Sequence, residues 1–222
     1  MTKKHNNGKS LLRWRILLLL AFLLLITTNA FIGHHGQQVR DARPETYLAT
    51  AESALNRGDY TTALIQWEKA HQRGPNHPTV HKVHGDIHHR MRNWKQAVTA
   101  YGKALQLNSD STGVRLNLMT ALIELKQYKK VTTIGEAFVE QGRQNPHFAH
   151  YIATAYFRNK NYPAAIPWFN IALGTARTNP YLLEQLLQSY TRIGDEKSAQ
   201  EIRQRIDEIQ RNLQEVTLDE QP

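Results

Sequence analysis

From Pro44 onward, small and apolar residues recur three or four positions apart between polar and charged ones, the spacing of an amphipathic helix. In LATAESALNRGDYTTALIQWEKAHQ this pattern lies on both sides of Arg57-Gly58-Asp59, a turn signal, so it predicts two helices joined by a tight turn. The motif then returns at a fixed step. Tyr60, Trp94, Tyr128 and Tyr162 are each 34 residues apart, and Ala63, Ala97, Val131, Ala165 and Ala199 keep the same step three residues later. Pro44, Pro78, Pro146 and Pro180 share one register, with Thr112 at the remaining station. Proline suits a helix start, where its missing amide proton and fixed φ cost nothing. Five helix hairpins are therefore expected, at 44–77, 78–111, 112–145, 146–179 and 180–213, followed by a tail at 214–222.

The pattern resembles the tetratricopeptide repeat (TPR) family over residues 44–213. The small first-helix residue of that family's signature is Ala51, Gly85 and Ala153, and the second-helix aromatic is Trp67, Tyr101 and Phe169. The closing small residue is Ala70, Ala104 and Ala172, and Pro75 ends the first unit. The third unit departs, with Met119, Gly135 and Phe138 where small, large and small residues are expected. The fifth carries Glu196 and Arg203 where apolar residues are expected, which suits a terminal unit facing water. Its stripe Ile202, Ile206, Ile209 and Leu213 fits either a capping helix or a coiled-coil seam. Pro167 falls inside the second helix of the fourth unit and is expected to bend it. The resemblance implies an all-α, right-handed α-solenoid that acts as a protein-protein interaction scaffold and not as an enzyme.

Before the repeats stands an uncharged apolar run, Ile16 to Ile32, which as a helix rises roughly 25 Å. With Leu11, Leu12 and Trp14 added, and Arg13 and Arg15 snorkelling, the segment 11–33 is expected to span a membrane as a signal-anchor helix. It follows a basic N-terminus, 1–10, and precedes a linker, 34–43. A cleaved signal peptide ending near Thr28-Asn29-Ala30 is the competing reading. Lys3, Lys4, Lys9, Arg13 and Arg15 precede the run, whereas Arg40 and Arg43, with Asp41, follow it, so the N-terminus stays inside. In a bacterium this is a single-pass inner-membrane protein whose repeats are periplasmic.

Composition narrows the chemistry. A hydrophobic share of 41% excludes a disordered chain, and the lack of cysteine excludes disulfides, thiolate metal sites and a cysteine nucleophile. The net charge of +9 is mostly local: seven of the 28 basic residues but one of the 19 acids precede Pro44. The repeats are nearly balanced, so no nucleic-acid partner is expected. There is no Gly-rich phosphate loop, H-E-x-x-H or G-x-S-x-G, so neither catalysis nor a cofactor is expected.

The resemblance assigns the concave face to the first helix of each unit. Expected there are Lys82, Asp86, His89 and Arg90 in the second unit, Asn117 in the third, and His147, His150, Thr154, Phe157 and Arg158 in the fourth. This mixed, partly cationic lining suits a peptide segment bearing carboxylates. The family's carboxylate clamp is matched in part, by Lys82 and Asn117, while Asp86, His147 and Tyr151 replace the other members. His81, His84 and His88 lie on one helical face, and three imidazoles so placed can bind a metal. They also occupy core stations, where neutral hydrogen-bonded rings are the other reading. Two functions follow: a membrane-anchored adaptor holding a partner protein in an envelope assembly or biogenesis complex, and a metal- or haem-handling assembly factor using His81, His84 and His88.

Overall fold

The computed structural model describes residues 43–219 apart from 109, 141–145 and 176–177, together with Leu24 and Thr27. The repeats form five hairpins: α1 (Pro44–Asn56) with α2 (Tyr60–Arg73), α3 (Pro78–Arg90) with α4 (Trp94–Leu107), α5 (Thr112–Glu124) with α6 (Tyr128–Glu140), α7 (Pro146–Arg158) with α8 (Tyr162–Thr175), and α9 (Pro180–Ile193) with α10 (Glu196–Asp219). First helices touch one another in order along the chain, whereas second helices do not touch one another among the described residues. The first helices therefore make the inner layer of an all-α solenoid, and the second helices the outer one.

Local chemistry sets the helix ends. Proline opens α1, α3 and α9 at the first turn. Asp59 and Asn179 cap α2 and α9, accepting from the Thr62 and Leu182 amides at 3.0 and 3.2 Å. Between the two helices of every hairpin one residue turns left-handed: Gly58 and Gly194 at φ +78°, and Arg92, Lys126 and Lys160 at +57°, +58° and +61°. The amide that follows each of them donates five residues back, as in Asp59 to Ala54 at 2.9 Å and Gln127 to Leu122 at 2.9 Å, which closes a Schellman motif. Glycine adopts this conformation freely, whereas a side chain there costs about 1–2 kcal/mol.

The core follows a knob-and-hole rule. In the second hairpin Gly85 leaves a hole on α3, and the Tyr101 ring from α4 fills it so tightly that a β-carbon at 85 would overlap the ring. The third hairpin reverses the parts. Met119, on the first helix, is fully buried, while Gly135, on the second, leaves the hole. A β-carbon at 135 would lie 2.5 Å from Ile152 Cγ1 and 3.0 Å from Met119 Cε. Phe138 stacks on Phe148 of the next hairpin at 4.2 Å, and α5 and α6 pack less closely than the helices of the neighbouring hairpins.

Pro167 lies inside α8, which continues to Thr175. On α10, Ile206 is buried and Ile202 and Ile209 pack against the cluster of Leu182, Leu183 and Leu186, so these three residues cap the stack. The tail expected from 214 is helical through Asp219. Among the described residues no helix is long and apolar enough to cross a membrane. The expected anchor at 11–33 lies outside the described residues except for Leu24 and Thr27. Leu24 is 67% exposed, and the Thr27 hydroxyl donates to its carbonyl at 2.9 Å.

Candidate functional site

On the inner face, α1, α3 and α5 enclose a cleft of about 420 Å³. Helical spacing puts Lys82, Asp86, His89 and Arg90 on one side of α3; α1 contributes Glu52, Leu55 and Asn56, α4 Tyr101 and α5 Asn117. Asp86 is the hub. Its Oδ2 accepts from Lys82 Nζ at 2.7 Å, and its Oδ1 accepts from the Tyr101 hydroxyl at 2.8 Å and Asn117 Nδ2 at 3.2 Å. Lys82 also lies 3.5 Å from Glu52 Oε1.

These contacts set the charge states. Burial pulls the Lys82 ammonium down, but the Asp86 carboxylate, helped by Glu52, outweighs it and holds the group above its ordinary value. Burial, then Asp86, pushes the Tyr101 hydroxyl up, so it stays a donor. Burial lowers His89, keeping it neutral at pH 7; its Nε2 is buried and unpartnered, and its ring meets Trp94 edge-on at 5.1 Å. Asp86 is thus occupied by internal donors, while Arg90 and Lys82 line the cleft beside it.

Lys82, Asp86, His89, Arg90 and Asn117 are therefore brought together. Tyr101 enters the same cleft although the family signature places it in the core. Its hydroxyl, which Trp67 and Phe169 lack at that station, was the available signal. The fourth-hairpin residues form no part of this cleft. His150 lies edge-on to Tyr151 at 5.2 Å; its Nδ1 is buried and unpartnered, and burial, then His147, lowers it. Thr154 is 5% exposed, and Phe157 packs on Tyr162 and Phe169 at 5.7 and 6.1 Å, so both offer the inner face less than expected. Arg158 and His147 remain exposed.

The histidines of α3 separate. His81 is buried, with Nε2 2.7 Å from the Pro75 carbonyl, which makes that nitrogen the donor. His84 stacks on Trp67 at 3.7 Å, and its Nε2 lies 3.0 Å from His88 Nε2, one donating to the other. Burial, then His88, His81 and His71, lowers His84 to about 4. Trp67 in turn donates to the Val80 carbonyl at 3.0 Å, tying the first hairpin to the second. Among the described residues no three metal donors converge. His81 thus points to a carbonyl of the preceding loop, apart from the paired, half-buried rings of His84 and His88.

A family model described as "Tetratricopeptide repeat" matches residues 33–208. No curated protein matches the chain in sequence. Among solved structures, MamA from Desulfovibrio magneticus is 21% identical, covering 76% of this chain and 96% of its own, with a TM-score of 0.70. Pseudomonas aeruginosa pilF is 19% identical over 74% of this chain and 75% of its own, at 0.61. YrrB, titled a TPR protein with an unusual peptide-binding site, is 17% identical over 74% of this chain and 84% of its own, at 0.65.

Proposed function

The chain belongs to the tetratricopeptide repeat family, and on that premise we propose that it is a membrane-anchored, non-catalytic scaffold that holds an extended segment of a partner protein on its inner face. The observation that carries this reading is the cleft around Asp86, where three internal donors occupy the carboxylate and the exposed Arg90 lines the same cleft for an incoming acceptor. The apolar run at 11–33, with basic residues mostly before it, supports a signal anchor with periplasmic repeats. Such a tether raises the effective concentration toward membrane-bound partners, so contacts in the cleft can be individually weak. An envelope assembly or biogenesis complex fits that placement.

The test is in-cell photo-crosslinking from position 90. One dominant protein adduct that disappears when Asn117 is replaced by Ala is the expected result. Silence at 90 combined with adducts from the outer helix position Gln106 overturns the inner-face assignment. A C-terminal alkaline phosphatase fusion reads the topology separately: an active fusion is expected, and an inactive one removes the periplasmic placement.

A further inference from the structure

The inner face leaves the opposite chemistry of the turn edge unused. There Arg92, Lys126 and Lys160 hold the left-handed position that Gly58 and Gly194 fill without strain in the first and last hairpins. All three are exposed, so packing does not require their side chains. Strain kept at a surface position points to a use for the side chain. Lys129 and Lys130 add two more exposed cations on the first turn of α6, and none of the five faces a carboxylate at ion-pair distance among the described residues. The turns at 91–93, 125–127 and 159–161, with the first turn of α6 at 128–130, hold these five basic residues and no acid.

A cleft opens at this edge between α6 and the next hairpin's turn. Lys126, Lys129 and Lys130 line it, Tyr128, Thr133 and Ile134 form its wall, and Asn159 stands across. Cations beside an apolar wall select a ligand that carries both carboxylates and an apolar group. We propose that this edge docks an acidic protein segment, with an apolar side chain beside Ile134 and carboxylates on Lys126, Lys129 and Lys130. Nucleic acid fits less well, because Tyr128 packs against the core and is not free to stack on bases. A flat anionic bilayer fits less well too, because Asn159 of the next hairpin stands across from the lysines and Ile134.

This docking site is independent of the inner-face reading. Its test is fluorescence anisotropy on the detergent-solubilised full chain, with a fluorescein-labelled twelve-residue peptide repeating Glu-Glu-Leu as probe. Replacing Lys126, Lys129 and Lys130 together with Gln is expected to weaken binding about tenfold or more, with a marked salt dependence in the native chain. Lys69→Ala, which removes an exposed cation on α2 outside both clefts, is expected to leave it unchanged, which separates this edge from general charge attraction. The double variant Lys126→Gly with Lys160→Gly removes two cations while relieving backbone strain, so its expected loss of binding does not depend on a damaged fold. The proposal is overturned if the peptide binds the native chain no better than the triple variant. It is equally overturned if single-stranded DNA, or a phosphatidylglycerol nanodisc, binds more tightly through the same lysines.

Discussion

The Tyr101 hydroxyl donates to Asp86 Oδ1 across 2.8 Å, so the ring that fills the hole at Gly85 also fixes the carboxylate at the centre of the inner cleft. Packing and site are coupled through one side chain. The orientation of Asp86, and with it that of Lys82, depends on a core residue of the outer helix α4.

Tyr101→Phe keeps the ring and deletes this bond. It is expected to cost about 0.5–1.5 kcal/mol in urea unfolding. Asp86→Ala strands the Tyr101 hydroxyl, Lys82 and Asn117 together and is expected to cost more, about 1–3 kcal/mol. If Tyr101→Phe costs as much as Asp86→Ala, the bond is not one of several at the hub, and that account of Asp86 fails.

Gly85→Ala places a β-carbon into the buried Tyr101 ring and is expected to destabilise by about 1–3 kcal/mol. Gly102→Ala, on α4 with nothing within 4 Å of the added carbon, is the control. There the same change is expected to stabilise by about 0.5–1 kcal/mol through helix propensity. Equal effects at the two sites would rule out a tight hole at Gly85.

Lys126→Gly is expected to raise stability by about 1 kcal/mol, and Gly58→Ala to lower it by a similar amount, because both sites are left-handed. Chemical denaturation of the two variants decides this. A less stable Lys126→Gly chain would mean that the side chain stabilises the turn more than the backbone strain costs.

The pH dependence comes chiefly from α3. His84 titrates at about 4 when folded against an ordinary 6.5, with burial as the main cause, and burial also lowers His81, His88, His89 and His150. The unfolded chain therefore binds more protons between these values. Stability is full above about pH 6.5 and is lost as pH falls toward 4. The melting temperature is expected to drop from pH 7.5 to pH 5, and replacing His84 with Leu and His88 with Tyr is expected to flatten that drop while preserving or raising the value at pH 7.5. An unchanged slope in the double variant would show that these rings carry no share of it.

Much of the fold was legible because one step of 34 residues repeats turn, small residue and aromatic in fixed relation, and a hairpin needs little beyond that local pattern. The same register put Lys82, Asp86, His89 and Arg90 on one helix face. It could not show that Asp86 would spend its charge on Tyr101 and Asn117, since those partners come from α4 and α5. Nor could it foresee the separation of His81 from His84. Helical spacing aligns the two rings, but the loop carbonyl of Pro75 captures the first and the Trp67 face the second. Phe157 shares its register station with groove positions, yet an aromatic neighbour on α8 drew it inward.

The reversed fit of Met119 and Gly135 means that equivalent stations of the second and third hairpins cannot be exchanged one at a time. Ile152, from the fourth, reaches into the space that Gly135 leaves. A ring entering at 135 alone would meet Ile152 and Met119, and a methionine entering at 85 alone would meet the Tyr101 ring. Each small residue and its large neighbour can therefore change only together, so drift at these stations has to proceed by paired substitutions.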